Sequence, residues 1–465
     1  MLNLEPKLVF DHFEKISQIP RPSGHEKAIS DYLVSFAKER GLDVIQDERY
    51  NIVIRKPATS GYENAKKIIL QCHMDMVPEK TKDSNHDFLK DPIELVVDGD
   101  NLTANKTTLG ADDGIGIAMA LAIIDDENSC HGPLEVLVTV SEETDLGGAQ
   151  ALSDKVLEGE YLINIDSEEE GIMTVGSAGG ELYIGKFNFE YENNDISCYE
   201  VDFSGLLGGH SGMEIQNNRG NIIVIMADFL KTSGGKLVDF IAGTQDNAIP
   251  RMGVLKLACE NNLDDVKDKI LKKYENINGN LEISISKIDT AKAMSLDASS
   301  KFSDYLLSLP TGVDTFTDDT KKFVASSSNL AIVKNKDNHF EIWDSIRFDK
   351  ESLLDNFKNK FVEISKKFDV EYEFSNYYPE WTYKEDSKLR ELALETYKDL
   401  TGKDMKIDIT HGGLECGVFY IKYKHLDMIS VGPDISGAHT PDETLSISST
   451  KRVYDYIVEL LKRIK

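Results

Sequence analysis

Three short apolar runs, 68–72 (IILQC), 134–140 (LEVLVTV) and 161–165 (YLINI), each stop at a cluster of acidic or histidine residues, and this recurring boundary limits the fold more than any other feature. The runs are rich in Val, Ile and Leu, the pattern of strands covered on both faces, as in the parallel core of an α/β sheet. They lead into His73-Met74-Asp75, Ser141-Glu142-Glu143 and Asp166. A further cluster, T-T-L-G-A-D-D-G-I-G at 107–116, sets Asp112 and Asp113 in a glycine-rich turn directly before an apolar stretch of helical character. The expected arrangement is strand, polar cluster, helix, three times over. In open α/β sheets ligands collect beyond the carboxyl ends of the strands, where these clusters lie. Taken alone, the Asp112-Asp113 pair also reads as a helix N-cap whose charge suits the helix dipole.

Apolar residues at helical spacing over 9–19 and 28–37, separated by Pro20-Arg21-Pro22-Ser23-Gly24, predict two N-terminal helices. Near Gly176-Ser177-Ala178-Gly179-Gly180 the pattern changes to strands of alternating polarity (182–189, 199–203, 281–288, 340–346) mixed with amphipathic helices (266–274, 353–368), an α+β signature. From 388 the first style returns, with a helix over 388–401, a strand over 426–431 and a helix over 450–464. A chain of 465 residues exceeds one usual hydrophobic core. The expected organisation is an α/β domain made of 1–180 and 385–465, interrupted by an inserted α+β domain, 181–384.

The net charge of -29 repels phosphate backbones and anionic membrane faces, which argues against nucleic acid and membrane as partners. Cys72, Cys130, Cys198, Cys259 and Cys416 are scattered and never form a C-x-x-C pair, so neither a disulfide framework nor a thiolate zinc site is suggested. They suit a reducing compartment. The N-terminus has no basic stretch leading into an apolar core, and no apolar run approaches the ~18 residues of a membrane span. A cytoplasmic protein is expected.

Collected at the strand ends are His73, Asp75, Asp112, Asp113, Glu142, Glu143 and Asp166, joined from the far end of the chain by His439. So many carboxylates on one edge repel unless protons or cations neutralise them. Two divalent metals would do so. Imidazole and carboxylate without thiolate suit Zn2+, with Mn2+ or Co2+ as alternatives. Such a centre needs one carboxylate shared between ions roughly 3.5 to 4 Å apart. It also needs a carboxylate outside the ligand set to take a proton from the attacking water, and Glu142-Glu143 offers one residue for each task.

His73-Met74-Asp75, L-G-A-D-D-G-I-G, Ser141-Glu142-Glu143, Asn164-Ile165-Asp166 and Gly437-Ala438-His439-Thr440-Pro441 together resemble the ordered motifs of the co-catalytic zinc exopeptidases related to carboxypeptidase G and aminoacylase. They are most similar to the aminoacyl-histidine (Xaa-His) dipeptidase, or cytosol non-specific dipeptidase, branch, and the similarity spans nearly the whole chain. It implies a catalytic domain with a mixed central sheet flanked by helices, and an inserted lid. It also implies that Asp112 bridges two metals, His73 and Asp166 complete one site, Glu143 and His439 complete the other, Asp75 orients His73, and Glu142 is the general base. A cis peptide after the bridging aspartate is common in the family, so one is expected at Asp112-Asp113.

In the insert, Gly208-Gly209-His210-Ser211-Gly212 resembles the family's lid histidine, which helps stabilise the tetrahedral oxyanion. Asp246-Asn247-Ala248-Ile249-Pro250-Arg251 and Ile346-Arg347 resemble its other lid contacts, with Asp246 where the usual form has arginine. Arg347, with Arg251 as second choice, would hold the substrate α-carboxylate in a forked pair. In His411-Gly412-Gly413-Leu414-Glu415-Cys416-Gly417 the glycines, Gly413 among them, are assigned to close backbone approach to substrate. The resemblance implies a dipeptidase, with a related N-acyl-amino-acid deacylase or carboxypeptidase as alternative and a non-catalytic binding module as the remote one. Monomer and homodimer stay open, as does whether His210 serves its own subunit or a partner's.

Overall fold

The computed structural model describes residues 2–317 and 323–465. The chain divides into two compact units, Met1–Gly176 with Trp381–Ile409 and Glu415–Lys465, and Ser177–Glu380 with Thr410–Leu414. Residues 410–414 thus depart from the expected division at 384/385. They group with the second unit because Ala178 N donates to Thr410 O (3.0 Å) and Gly413 lies against the Tyr378 ring.

The sheet of the first unit runs Asp43–Gln46, Ile52–Lys56, Leu134–Thr139, Ile68–His73, Tyr161–Asn164, Asp427–Ser430, Ile172–Ser177, Lys406–Thr410. Its four central strands are parallel, and their neighbours on either side antiparallel, so the sheet is mixed and the fold α/β. Ile68–His73 and Leu134–Thr139 are buried at every residue, which is why they read as continuous apolar runs. Helix Lys7–Ser17 packs on helix Ala111–Asp125, which in turn packs on Ile68–His73. Ile115, Ile117, Leu121 and Ile123 of that inner helix are completely covered, each such side chain contributing ~1.5–3 kcal/mol.

The thrice-repeated pattern holds only in part. Asp166 leads not into a helix but into strand Ile172–Ser177, because the intervening S-E-E-E-G has no apolar stripe and turns at Gly171 (φ +81°). Between His73 and Ala111 stands a hairpin, Leu95–Asp98 with Asn101–Ala104, absent from the sequence reading. It joins Thr444–Ser446 and Ile435–Ser436 in a four-stranded sheet, with Leu445 opposite Leu102. That pairing anchors both ends of the loop that carries His439.

The second unit is built on a nine-stranded sheet in the order Gly279–Ile288, Cys198–Leu206, Gly253–Ala258, Lys236–Ala242, Val324–Asn335, His339–Phe348, Gly179–Asn188, Glu371–Tyr378, with Gly312–Phe316 paired to Val324–Asn335. Helices Ile222–Ser233, Leu296–Ser308 and Glu351–Phe368 pack against its strands around an aromatic core, in which Tyr183 stacks on Phe361 (centroids 4.4 Å apart). The strand Val324–Asn335 escaped sequence reading because Ser326-Ser327-Ser328 interrupts its apolar run, although residues 324–333 are all buried.

Candidate metal centre

The turn before the inner helix is held from a distance. Glu443 accepts hydrogen bonds from the backbone N–H groups of Leu109 (2.7 Å), Gly110 (2.9 Å), Ala111 (2.8 Å) and Asp112 (3.3 Å). Buried Arg21 donates to the carbonyls of Met74 (2.9 Å), Asp75 (3.2 Å) and Gly110, tying this turn to the end of strand Ile68–His73. The Asp112-Asp113 peptide is cis. The two aspartates then separate in task. Asp113 points inward, its Oδ2 accepting from His73 N (3.2 Å) and its Oδ1 from Gly116 N (3.2 Å), so the capping reading applies to this residue. A Cβ on Gly116 would lie 2.3 Å from Asp113 Oδ1 and 2.7 Å from Ile165 O, which excludes any side chain there.

Asp112 instead faces two histidines. His73 Nε2 lies 3.0 Å from Asp112 Oδ1 and 3.3 Å from Asp166 Oδ1. His439 Nε2 lies 3.0 Å from Asp112 Oδ2 and 2.9 Å from Glu143 Oε2. Each Nε2 carries at most one proton yet meets two carboxylate oxygens, and Glu143 Oε1 is buried without a hydrogen-bond partner among the described residues. Protons alone leave this set poorly satisfied. Two divalent cations fit it, since Asp112 offers one oxygen to each histidine–carboxylate pair and the donors are the nitrogen and oxygen that zinc accepts. The His73 Nδ1 side faces Asp75 Oδ1 at 3.6 Å, which favours the tautomer with Nε2 unprotonated. Asp75 also accepts from Glu142 N (3.0 Å), Glu143 N (3.2 Å) and Ser23 Oγ (2.8 Å), so one buried carboxylate fixes His73 and the start of the Glu142–Asp145 turn together. Glu142 makes none of these contacts with the two histidines, but its carboxylate and donor atoms of His73 and Glu143 all lie within 4.8 Å of one another, as do those of His73, Asp113 and Asp166 and those of Asp112, Glu143 and His439, three groups able to hold an ion.

The electrostatics carry the same message. Burial opposes the ionisation of Asp112, but hydrogen bonds from His439 and His73 hold its carboxyl well below the usual range. Burial, with the Asp112 charge behind it, pushes Glu143 up to about 7, and burial raises Glu142 well above its ordinary value. His439, despite partial burial, is pushed up to about 12 by Asp112 and Glu143. The cluster attracts positive charge from whatever source supplies it.

The second unit assembles its own cluster from sequence-predicted residues. Gly209–His210 pairs with Ala248–Ile249, and Ser211 N donates to Asn247 O (2.7 Å). Arg347, 5% exposed, donates from Nε to Ser211 Oγ (3.4 Å) and from Nη1 to Tyr378 OH (3.0 Å) and His411 O (3.3 Å). A Cβ on Gly413 would lie 2.5 Å from the Tyr378 ring, so only glycine allows this approach. Arg251 is exposed. His411 Nε2 lies 2.7 Å from Ser327 Oγ, and burial with the Arg347 charge lowers its pKa to about 3, which keeps the ring neutral.

A model of the peptidase family M20/M25/M40 matches residues 69–463, the span that supplies every member of the metal cluster. The chain belongs to this family. This M20 peptidase is 40% identical over 481 residues to the cytosol non-specific dipeptidase of Escherichia coli K12, covering 99% of its own chain and 98% of that relative. Among solved structures it is similar to the aminoacylhistidine dipeptidase from Vibrio alginolyticus, with a TM-score of 0.80 and 34% identity over 100% of this chain and 98% of the other. Aminopeptidase PepT from Bacillus cereus shares the fold at a TM-score of 0.57 and 15% identity, covering 99% of this chain and 98% of that one.

For this M20 peptidase, sequence reasoning missed Arg21, Ser23, Glu443, Tyr378, Ser327 and Glu415. Arg21 and Ser23 stood in a proline-rich break read only as a helix boundary. Glu443 lies four residues after His439 and signals nothing until its four N–H partners are known. Cys72 and Cys416 are fully buried, and burial raises both thiols well above their usual values, in keeping with packing rather than reactivity. Among the described residues no helix is long and apolar enough to cross a membrane.

Proposed function

We propose that this M20 peptidase is a metal-dependent dipeptidase, aminoacyl-histidine dipeptidase-like, in which Asp112 bridges two divalent cations, His73 and Asp166 hold one, Glu143 and His439 hold the other, and Glu142 is the general base. The observation that carries the reading is the division of the Asp112 carboxylate between two histidine–carboxylate pairs, with Glu142 beside both and part of neither. The cations, Zn2+ first and Mn2+ or Co2+ next, supply Lewis acidity at the scissile carbonyl and a water nucleophile at neutral pH. Glu142 takes the proton of the attacking water and returns it to the leaving amine. Burial raises its proton affinity, the direction that favours uptake of the water's proton. Asp75 keeps His73 in the ligating tautomer and holds the backbone of Glu142 and Glu143 in place. In the second unit, Arg347 receives the substrate α-carboxylate, its guanidinium already oriented by Ser211, Tyr378 and the His411 carbonyl. His210 stabilises the oxyanion, and Asn247 and Gly413 contact substrate. A cytoplasmic location is part of this reading, supported by five free cysteines that suit a reducing compartment.

The test is an assay of purified protein, stripped with chelator and re-supplied with zinc, manganese or cobalt, on dipeptides including Xaa-His pairs and on N-acetyl amino acids. Metal-dependent release of free amino acids from the dipeptides is expected. Cleavage confined to the acylated set would replace this reading with a deacylase.

A further inference from the structure

Beneath the metal ligands lies a second polar layer. Strand residues two apart share a face, so Gln71 stands below His73, and Asn164 stands two residues before Asp166. Gln71, Asn164 and Ser430 are register neighbours on three adjacent parallel strands, and all three are 0% exposed. They are hydrogen-bonded side chain to side chain. Asn164 Nδ2 donates to Gln71 Oε1 (2.6 Å), Ser430 Oγ donates to Asn164 Oδ1, and the hydroxyls of Ser430 and Ser167 are 2.7 Å apart. At the other end Gln71 Nε2 and Thr139 Oγ1 both donate to Glu415 Oε2, each at 2.6 Å, and Glu415 is also 0% exposed.

The direction of this row is set at Glu415. A carboxyl oxygen that receives two donors obliges Gln71 to present its amide nitrogen. The Gln71 oxygen then faces Asn164, which must present its own nitrogen, and the Asn164 oxygen faces Ser430. Flipping either amide alone sets like against like, an acceptor on an acceptor or a donor on a donor, which costs about 1–3 kcal/mol per buried group. With Glu415 ionised, or protonated on Oε1, Oε2 stays an acceptor and the row keeps its direction; a proton on Oε2 would reverse both amides together. We propose that Glu415 is a positioning residue for the His73–Asp112–Asp166 metal site, acting through Gln71 and Asn164, which lock the strand ends bearing His73 and Asp166 in lateral register. This rests on those residues being metal ligands.

The experiment uses the full-length protein carrying Glu415→Leu, Glu415→Gln or Gln71→Met, with zinc affinity and stoichiometry measured by competition against a chelator, alongside kcat and KM. Glu415→Leu should weaken one of the two ions roughly 10- to 100-fold, the usual effect of losing an outer-layer partner, and lower kcat with KM little changed. Glu415→Gln, whose amide oxygen can accept both donors, should restore affinity to within about threefold of the parent. Gln71→Met leaves Glu415 in place and should reproduce the selective loss, so the proposal remains testable if Glu415→Leu does not fold. Unchanged zinc affinity in a folded Glu415→Leu or Gln71→Met variant overturns it. So does a Glu415→Gln protein as impaired as the leucine variant, which would make charge rather than direction the essential property. An unsubstituted protein that binds no zinc would instead overturn the ligand reading on which the proposal depends.

Discussion

In the first unit Asp112, Glu143 and Asp166 crowd around two imidazoles, His73 and His439, whereas the second unit buries Asp344 singly within an aromatic sheet. Asp344 lies across from Tyr183 in the strand ladder, accepts from Ser328 Oγ, and has no partner for Oδ2 among the described residues. Burial pushes its carboxyl well above the usual range. The two regions dispose of the same chemical problem differently. Carboxylates crowded around shared histidines form a set that two divalent cations would reconcile. A solitary carboxyl in an apolar surrounding is reconciled by a proton, and stability then depends on pH.

The sharpest way to break this contrast is Asp112→Asn, which keeps the shape but removes the negative charge and replaces one of the two carboxylate oxygens by an amide nitrogen. Activity should fall by about 10⁴-fold or more, with elemental analysis finding fewer than two ions per chain. Full metal occupancy in that variant would mean the crowd does not exist for cations. Next in size, Glu142→Ala should cost on the order of 10²–10⁴-fold in kcat while metal content stays intact; metal lost in parallel would place Glu142 among the ligands. Arg347, another buried charged side chain of the second unit, has partners on Nε and Nη1 rather than standing alone. Arg347→Lys should raise KM for dipeptides by roughly 10- to 100-fold through loss of the fork, and dipeptide amides, which have no α-carboxylate, should show little change. The smallest effect is expected at Asp344. In the unfolded chain it ionises near pH 4, but in the folded protein it keeps its proton to higher pH, so stability is lost as pH rises through that interval. Asp344→Asn should therefore leave the melting temperature unchanged at about pH 4 and raise stability on the order of 1 kcal/mol at about pH 8. A difference that does not vary with pH would show that Asp344 is not the solitary acid it looks to be.

The parallel core was legible because covered strands must be apolar throughout, so the runs before His73, Glu142 and Asp166 announced themselves. Strands of the second unit were legible where polarity alternates, except where three serines on Val324–Asn335 hid a buried strand behind polar side chains. Those serines are buried with partners, Ser327 to His411 and Ser328 to Asp344, and nothing in a local window announces such partners. The hairpin Leu95–Asp98 with Asn101–Ala104 was missed because one side of it is mostly exposed and so has no apolar signature.

What the sequence by itself determined was local: which runs become strands, where each ends, and which titratable groups therefore gather at one edge of a sheet. What only the tertiary structure decided was pairing. Glu443 reaches the Asp112 turn across 331 positions, and Glu415 reaches Gln71 across 344. Apolar periodicity is a property of neighbours in the chain, while the partner of a buried polar group is chosen by strand order and by the requirement that each buried donor find an acceptor, and neither is written in any one stretch of residues.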